Sequence, residues 1–386
     1  MLRTRLTNIL TPAILTTGLM VSACSPQTAQ EPAPAANETS AASDQQTLRD
    51  EVSAIIHEVP VETVPGIIVV IDKPGKRIAL ARGVANTETG LPMPTDAPMR
   101  LGSICKTYMA ALAVILSNEG VVDLEAPIST YLGEDVLSRI PEGLDPTIRQ
   151  LMNHTSGIPD YYNAQFYATY DPNTPLTPEL ALSLIKGESA TGTPGEDHAY
   201  SNTNYHLLAL ILEKETGEAL GALLQSRIFE PLGLDDTSYN VLHPPGDVIH
   251  GYGEDFDGWE DMFESRENTG PDGGIMATPD DLITFYRALF APDGALADVG
   301  EVMTADPFVS RERRYEGLGV GTMENRAGAQ VEGHTGGITG YFSAAYYRAD
   351  TDTVMVMHMN QSDEEAFGAT FSAIARLLLT EPAIVE

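Results

Sequence analysis

Ser103 and Lys106 in Leu101-Gly102-Ser103-Ile104-Cys105-Lys106 place a hydroxyl and an amine three positions apart. On a helix that spacing puts both side chains on one face, so the lysine nitrogen can touch the serine oxygen and activate it as a nucleophile. At a helix start, unpaired backbone N–H groups and the positive dipole end lie beside the reacting centre, where acyl transfer develops negative charge. The pattern alone is weak, because Ser is also a favoured N-cap and Ser183-Leu184-Ile185-Lys186 repeats it. That second copy falls inside a predicted helix with no Gly before it, where a Ser faces solvent or bonds back to the helix backbone.

Two later segments change the weight of the first. Pro194-Gly195 precedes Tyr200-Ser201-Asn202, and Gly333-His334-Thr335-Gly336-Gly337 lies just ahead of a strand-like run at 342–347. In chain order, Ser103-x-x-Lys106, Tyr200-x-Asn202 and His334-Thr335-Gly336 resemble the motifs of the serine β-lactamase and penicillin-recognising superfamily, in its class C-like branch with D,D-peptidases and esterases. Tyr161-Tyr162-Asn163 is a further copy of the middle motif, set aside because it comes too early and lacks the Pro-Gly lead-in. The resemblance extends from about residue 50 to about 360. It takes in Leu151-Met152-Asn153-His154-Thr155-Ser156-Gly157, Pro231-Leu232-Gly233-Leu234 with Asp236-Thr237, and Gly273-Gly274 with Thr278-Pro279-Asp280-Asp281-Leu282.

The resemblance implies an α+β fold: an antiparallel sheet flanked by helices and built from both chain ends, a mainly helical inserted region, and a site between them. It implies that Ser103 attacks a carbonyl while Lys106 and Tyr200 share the proton transfers, which of them is the base being left open. A phenol titrates near pH 10, so a Tyr200 phenolate needs the field of Lys106. The oxyanion hole would use the Ser103 and Gly337 N–H groups, Asn202 would orient the substrate, and Thr335 and Gly336 would belong to the same wall. No cofactor is implied. Class C β-lactamases usually carry Lys where this chain has His334, and a neutral histidine weakens attraction for a substrate carboxylate. Gly337 offers no side-chain donor to replace it. The expectation is an esterase-like or D,D-peptidase-like hydrolase of a small-molecule or peptide acyl substrate. A class C-like β-lactamase and a catalytically silent cell-envelope binding module are the alternatives, the latter disfavoured by the completeness of the site.

Composition sets the surroundings. Of 386 residues 42% are hydrophobic, enough for a large core, and 22 Lys plus Arg against 55 Asp plus Glu give a formal charge of -33. Such acidity excludes a nucleic-acid partner. Arg3, Arg5 and the apolar stretch 9–21 read as an export signal over 1–23, and Val21-Ser22-Ala23-Cys24 resembles a bacterial lipoprotein box, which implies lipidation of Cys24 and a membrane tether. Residues 24–46, rich in Ala, Pro, Ser and Gln, read as a flexible leash.

The folded part is expected over 47–386, with an α/β portion at about 47–121 and 262–386 and a helical portion at about 122–261. Gly66–Ile71 reads as a buried strand hairpinned to 77–82, followed by a helix at 103–119 capped by Gly120. Helices are expected at 177–185, started by Thr177-Pro178, and at 205–216, closed by Gly217. Strands are expected at 316–322, 342–348 and 353–360, then a helix at 364–379. Cys105, two positions from Ser103, points to the far side of the helix and reads as core, His154 reads as a structural hydrogen-bonder, and the acidic run 254–261 reads as a solvated loop. With no His-Glu-x-x-His and only two cysteines, metal hydrolysis finds no support.

Overall fold

The computed structural model describes residues 36–255 and 258–380. The expected signal peptide 1–23 and Cys24 lie outside the described residues. Five helices of twelve residues or more are present among those described: α1 (Ala36–His57), α2 (Cys105–Asn118), α3 (Thr203–Thr216), α4 (Pro279–Phe290) and α5 (Glu364–Thr380). α1 starts within the segment read as a leash. Residues 36–46 contain no Gly or Pro, and their alanines favour extension of a helix whose next turns, at Leu48, Val52 and Ile56, are held by packing.

The framework is one antiparallel sheet of nine strands: β1 (Gly66–Lys73), β2 (Lys76–Asn86), β3 (Leu91–Pro92), β4 (Phe308–Arg311), β5 (Arg314–Glu316), β6 (Gly321–Glu324), β7 (Gln330–Ile338), β8 (Tyr341–Arg348) and β9 (Thr353–Met359). Their order is β3-β2-β1-β9-β8-β7-β6-β5-β4, so the sheet is indeed assembled from both chain ends. The unbroken apolar run of β1 follows from burial on both faces. Ile67, Val69 and Ile71 pack with α1 and α5 residues Val52, Ile56, Ile374 and Leu378, while Ile68 and Val70 face the larger core that holds α2. β9 divides in the same way, Met355, Met357 and Met359 against Val354 and Val356.

α2 is buried over Cys105–Val114, with only Ile115, Ser117 and the terminal Asn118 not buried. Gly120, at φ +75°, ends it as the sequence predicts, and Val121 N–H donates to Leu116 O at 2.9 Å. Thr177 caps the helix Pro178–Leu184 by accepting from Leu180 N–H, and Gly217 closes α3 at φ +71°. Ser183 Oγ donates to Leu180 O at 2.7 Å, so the second Ser-x-x-Lys copy is spent on its own helix.

Three further sequence expectations change. The single strand at 316–322 is two strands, β5 and β6, joined at Gly317-Leu318-Gly319-Val320. Gly317 N–H donates there to Val320 O at 2.8 Å and Gly319 takes φ +62°. The acidic run is not a loop over its described residues, since Tyr252–Asp255 pairs with Gly258–Asp261 as a hairpin. Finally, the His-Thr-Gly segment is itself strand β7. Its glycines give a weak strand signal because they serve close approach: a Cβ on Gly336 would lie 1.9 Å from Leu101 O.

That approach fixes the site, since Ser343 Oγ on β8 also donates to Leu101 O at 2.7 Å. Gly336→Ala is expected to destabilise the protein by about 1–3 kcal/mol through overpacking and to displace the turn that carries Ser103. An unchanged urea midpoint together with full Ser103 reactivity would contradict this.

Candidate active site

Ser103 occupies a 3-10 turn, Gly102–Ile104, that runs directly into α2. The first bond of this turn is Ile104 N–H to Leu101 O at 3.3 Å, which leaves the Ser103 N–H upstream with no acceptor inside the turn. Lys106, one turn on and fully buried, donates to Ser103 Oγ at 3.0 Å and to the Asp272 carbonyl at 2.9 Å. Its Nζ also lies 5.3 Å from the Tyr200 ring centroid and 5.4 Å from that of Tyr205. Burial opposes the ammonium, yet Tyr200 and Asp272 beside it leave its pKa raised above the ordinary lysine value. Cys105 donates to Pro271 O at 3.4 Å, and burial pushes its thiol up to about 12, which excludes it as the nucleophile.

Tyr200 is 41% exposed and is clamped by His154. His154 sits at φ +59°, its carbonyl accepts from Ala199 N–H at 3.0 Å, its Nδ1 accepts from Ser201 N–H at 3.1 Å, and its ring stacks on Tyr200 at 4.1 Å. Burial holds its pKa well below the usual histidine value, which suits an Nδ1 that must stay an acceptor. The structural reading of His154 is right in kind, and its client is the motif tyrosine. Asn202 is gripped by Asp160, whose two oxygens take the Asn202 backbone N–H and Nδ2–H, both at 3.0 Å.

β7 supplies the third side. β6 pairs with it only from Gln330 to Gly333, so 334–338 have β8 on one side and no strand on the other. Gly102 takes φ +51° where this open edge meets the Ser103 turn, and a Cβ there would lie 2.9 Å from Gly337 N. The turn that carries Ser103 therefore passes close against the backbone at Gly336 and Gly337. His334 Nδ1 donates to the Thr335 carbonyl. Burial, reinforced by the Lys106 charge, lowers the His334 pKa to about 4.

Two cavities open among the motif residues. One of about 390 Å³ is lined by Ser103, Asn202 and Gly337 together with Tyr162, Glu267 and Asp272. The other, of about 570 Å³, is lined by Tyr200, His334 and Thr335 with Arg314, Glu316 and Tyr346. Every motif residue is thus brought to one place, with Lys106 and Gly336 buried behind it. Sequence reasoning missed the supporting residues. Asp160 and Asp272 have no motif of their own, although Asp272 directly precedes the noted Gly273-Gly274. Tyr161, dismissed with the early Tyr-x-Asn copy, donates to Asp272 Oδ2 at 2.6 Å, and Asn163 of the same copy caps the helix Ala164–Thr169. Asp272 is held ionised at about 2: burial opposes this, but His206, Lys106 and Tyr161 outweigh it. Among the described residues no group of three His, Cys, Asp or Glu could hold a metal ion.

A two-faced antiparallel sheet with a Ser-Lys pair at a helix start, a facing tyrosine and an open glycine-rich strand defines a serine hydrolase of the β-lactamase and penicillin-binding superfamily. The chain belongs to the Beta-lactamase family, whose model matches residues 52–378. A penicillin-binding protein of Bacillus subtilis strain 168 is 26% identical over 318 residues, 78% of this chain and 69% of that protein. A D-aminopeptidase of Brucella anthropi is 28% identical over 291 residues, 74% of this chain but only 54% of the relative's length. Among solved structures, a D-stereospecific amidohydrolase from Streptomyces sp. superimposes with a TM-score of 0.71 at 27% identity, covering 84% of this chain and 98% of that one.

The depressed His334 pKa generates a pH prediction. The imidazole stays neutral from pH 5 to 8, so the kcat/KM ratio between a neutral ester and its carboxylate-bearing analogue should be flat across that range. His334→Lys is expected to move the ratio toward the carboxylate by roughly tenfold, about 1.4 kcal/mol. A native ratio that drifts between pH 5 and 8 would contradict the neutral assignment.

Proposed function

We propose that the protein hydrolyses an amide or ester of a small molecule or peptide through an acyl-enzyme on Ser103. The observation that carries this reading is the 3.0 Å contact from buried Lys106 Nζ to Ser103 Oγ, at a turn that Gly102 brings close against Gly337 N. In this reading Ser103 Oγ attacks the carbonyl, and the oxyanion is received by the Ser103 and Gly337 N–H groups. Lys106, favoured as an ammonium by its neighbours, provides the field in which Tyr200 carries the Ser103 proton to the leaving group. Asn202 and the open edge at Thr335-Gly336-Gly337 align the substrate backbone, and a deacylating water completes the cycle.

The relatives named D-aminopeptidase and D-stereospecific amidohydrolase favour an amide substrate. A neutral His334 and the absence of a side chain on Gly337 weigh against efficient β-lactam turnover. We further propose that the chain is an exported envelope lipoprotein anchored through Cys24. Among the described residues no helix is long and apolar enough to cross a membrane, so under this reading the lipid is what would hold the domain there.

A fluorophosphonate probe is expected to label Ser103, located by mass mapping. Ser103→Ala should abolish labelling and lower hydrolysis of p-nitrophenyl esters and D-amino-acid anilides by at least about a thousandfold. Full activity in that variant would remove the mechanism, and no labelling of the native protein would favour the binding-module alternative. For the anchor, Cys24→Ala is expected to shift the protein from the membrane to the soluble fraction and to abolish labelling by a radioactive fatty acid. Unchanged membrane association would overturn it.

A further inference from the structure

Lys106 carries its charge into a place where the oxygens it touches are neutral. Its Nζ has no exposed surface and donates to Ser103 Oγ at 3.0 Å and to the Asp272 carbonyl at 2.9 Å. A buried ammonium without a counter-charge is costly, and its ordinary fate is to lose the proton.

The titratable groups that face Lys106 narrow the source of that counter-charge. Burial pushes Cys105, on its own helix, and Tyr205, on α3, upward, and it pushes His154 and the β7 residue His334 downward, so all four are uncharged at neutral pH. Asp160 spends its two oxygens on the N–H groups of Asn202. Tyr200 exchanges a proton during the reaction and so supplies no standing charge. Asp272 remains.

Its side chain is held by residues that the reaction does not otherwise use. Tyr161 OH donates to Asp272 Oδ2 at 2.6 Å, and His206 Nε2 lies 3.0 Å from Oδ1, so each oxygen is engaged from a different segment. The Tyr161 and His206 rings meet edge to face at 5.1 Å, and a Cβ on Gly270 would lie 2.7 Å from Asp272 Oδ1 and 3.2 Å from His206 Cε1. His206 Nδ1 has no partner among the described residues, so nothing in the pocket supports a second imidazole proton, and Lys106 is the charge that Asp272 faces. With both oxygens engaged the carboxylate takes no ligand. What it offers the site is a fixed negative field.

Resting on the hydrolase reading above, we propose that Asp272 is a positioning residue that acts through Lys106: its side chain, held by Tyr161 and His206, is the counter-charge that keeps the Lys106 amine an ammonium against Ser103 Oγ. The residue thus has two separable parts in the site. Its backbone carbonyl orients the Lys106 nitrogen, and its carboxylate sets the protonation state. Ionisation of Asp272, held at about 2 against the cost of burial by His206, Lys106 and Tyr161, keeps that field constant over the whole neutral range.

The test follows the rate of fluorophosphonate labelling at Ser103 from pH 6 to 10.5 in the native full-length protein and in Asp272→Asn and Asp272→Glu, each checked for folding by circular dichroism. A counter-charge raises the lysine pKa, so its removal lowers the pH at which the ammonium is lost. The native rate is expected to show no alkaline fall below pH 9, and Asp272→Asn to acquire a fall at least about one pH unit below the native one. Asp272→Glu, the poorer match in shape but the better match in charge, is expected to keep the native profile. A folded Asp272→Asn protein with the native profile would overturn the proposal, and so would a native alkaline fall below pH 9, which decides the matter should the variants not fold. Absence of labelling in the native protein at every pH would instead remove the hydrolase reading beneath it.

Discussion

A single buried ammonium organises this protein. Lys106 lies at the base of α2 with no exposed surface, and a charge so placed is tolerated only where neighbouring oxygens replace water. Ser103 Oγ and the Asp272 carbonyl do so directly, and the faces of Tyr200 and Tyr205 close the remaining approach. Each comes from a different part of the chain, so satisfying one nitrogen pulls the first turn of α2, the loop before Ile275 and the segment before α3 into one place. The same contact that solves the burial problem sets a positive charge against the Ser103 hydroxyl.

The sheet and the helical portion divide the remaining work. β7 and β8 fix the Ser103 turn from below, through the close pass of Gly336 and the bond from Ser343 to Leu101 O. From above, the helical portion holds Tyr200 and Asn202 by two independent grips, His154 on one and Asp160 on the other. Tyr200 and Asn202 are thus supported by side chains outside the motifs, and preorganisation of this kind limits how far a group can drift.

Much of this arrangement can be read from the chain. Ser103, Lys106, Tyr200, Asn202 and the His334-Thr335-Gly336 triplet stand out because their order and surroundings resemble a known set, and α2, α3, α5, β1, β8 and β9 stand out because their apolar spacing is clear. β7 does not, since glycines needed for close approach remove the alternation that marks a strand. The hairpin of β5 and β6 hides in one apolar-polar run for a similar reason, its turn glycines reading as tolerated interruptions. Asp160, Asp272, Glu267 and Tyr161 are illegible for another cause: they act through contacts between segments from 42 to 111 residues apart in sequence, as when Asn202 meets Asp160 or Tyr161 meets Asp272. No local pattern encodes such a meeting.

The open edge of β7 has a consequence for how the protein keeps to itself. Strand edges with unpaired N–H and C=O groups invite any extended chain, including another copy of the same protein, and folds usually cover or shorten them. Here the exposed stretch is confined to 334–338, begins where β6 stops, and is recessed against the Leu101 turn. Five residues are too few to seed a growing ladder of strands. The length of this free edge is set by one dimension, the number of residues by which β6 falls short of its neighbour.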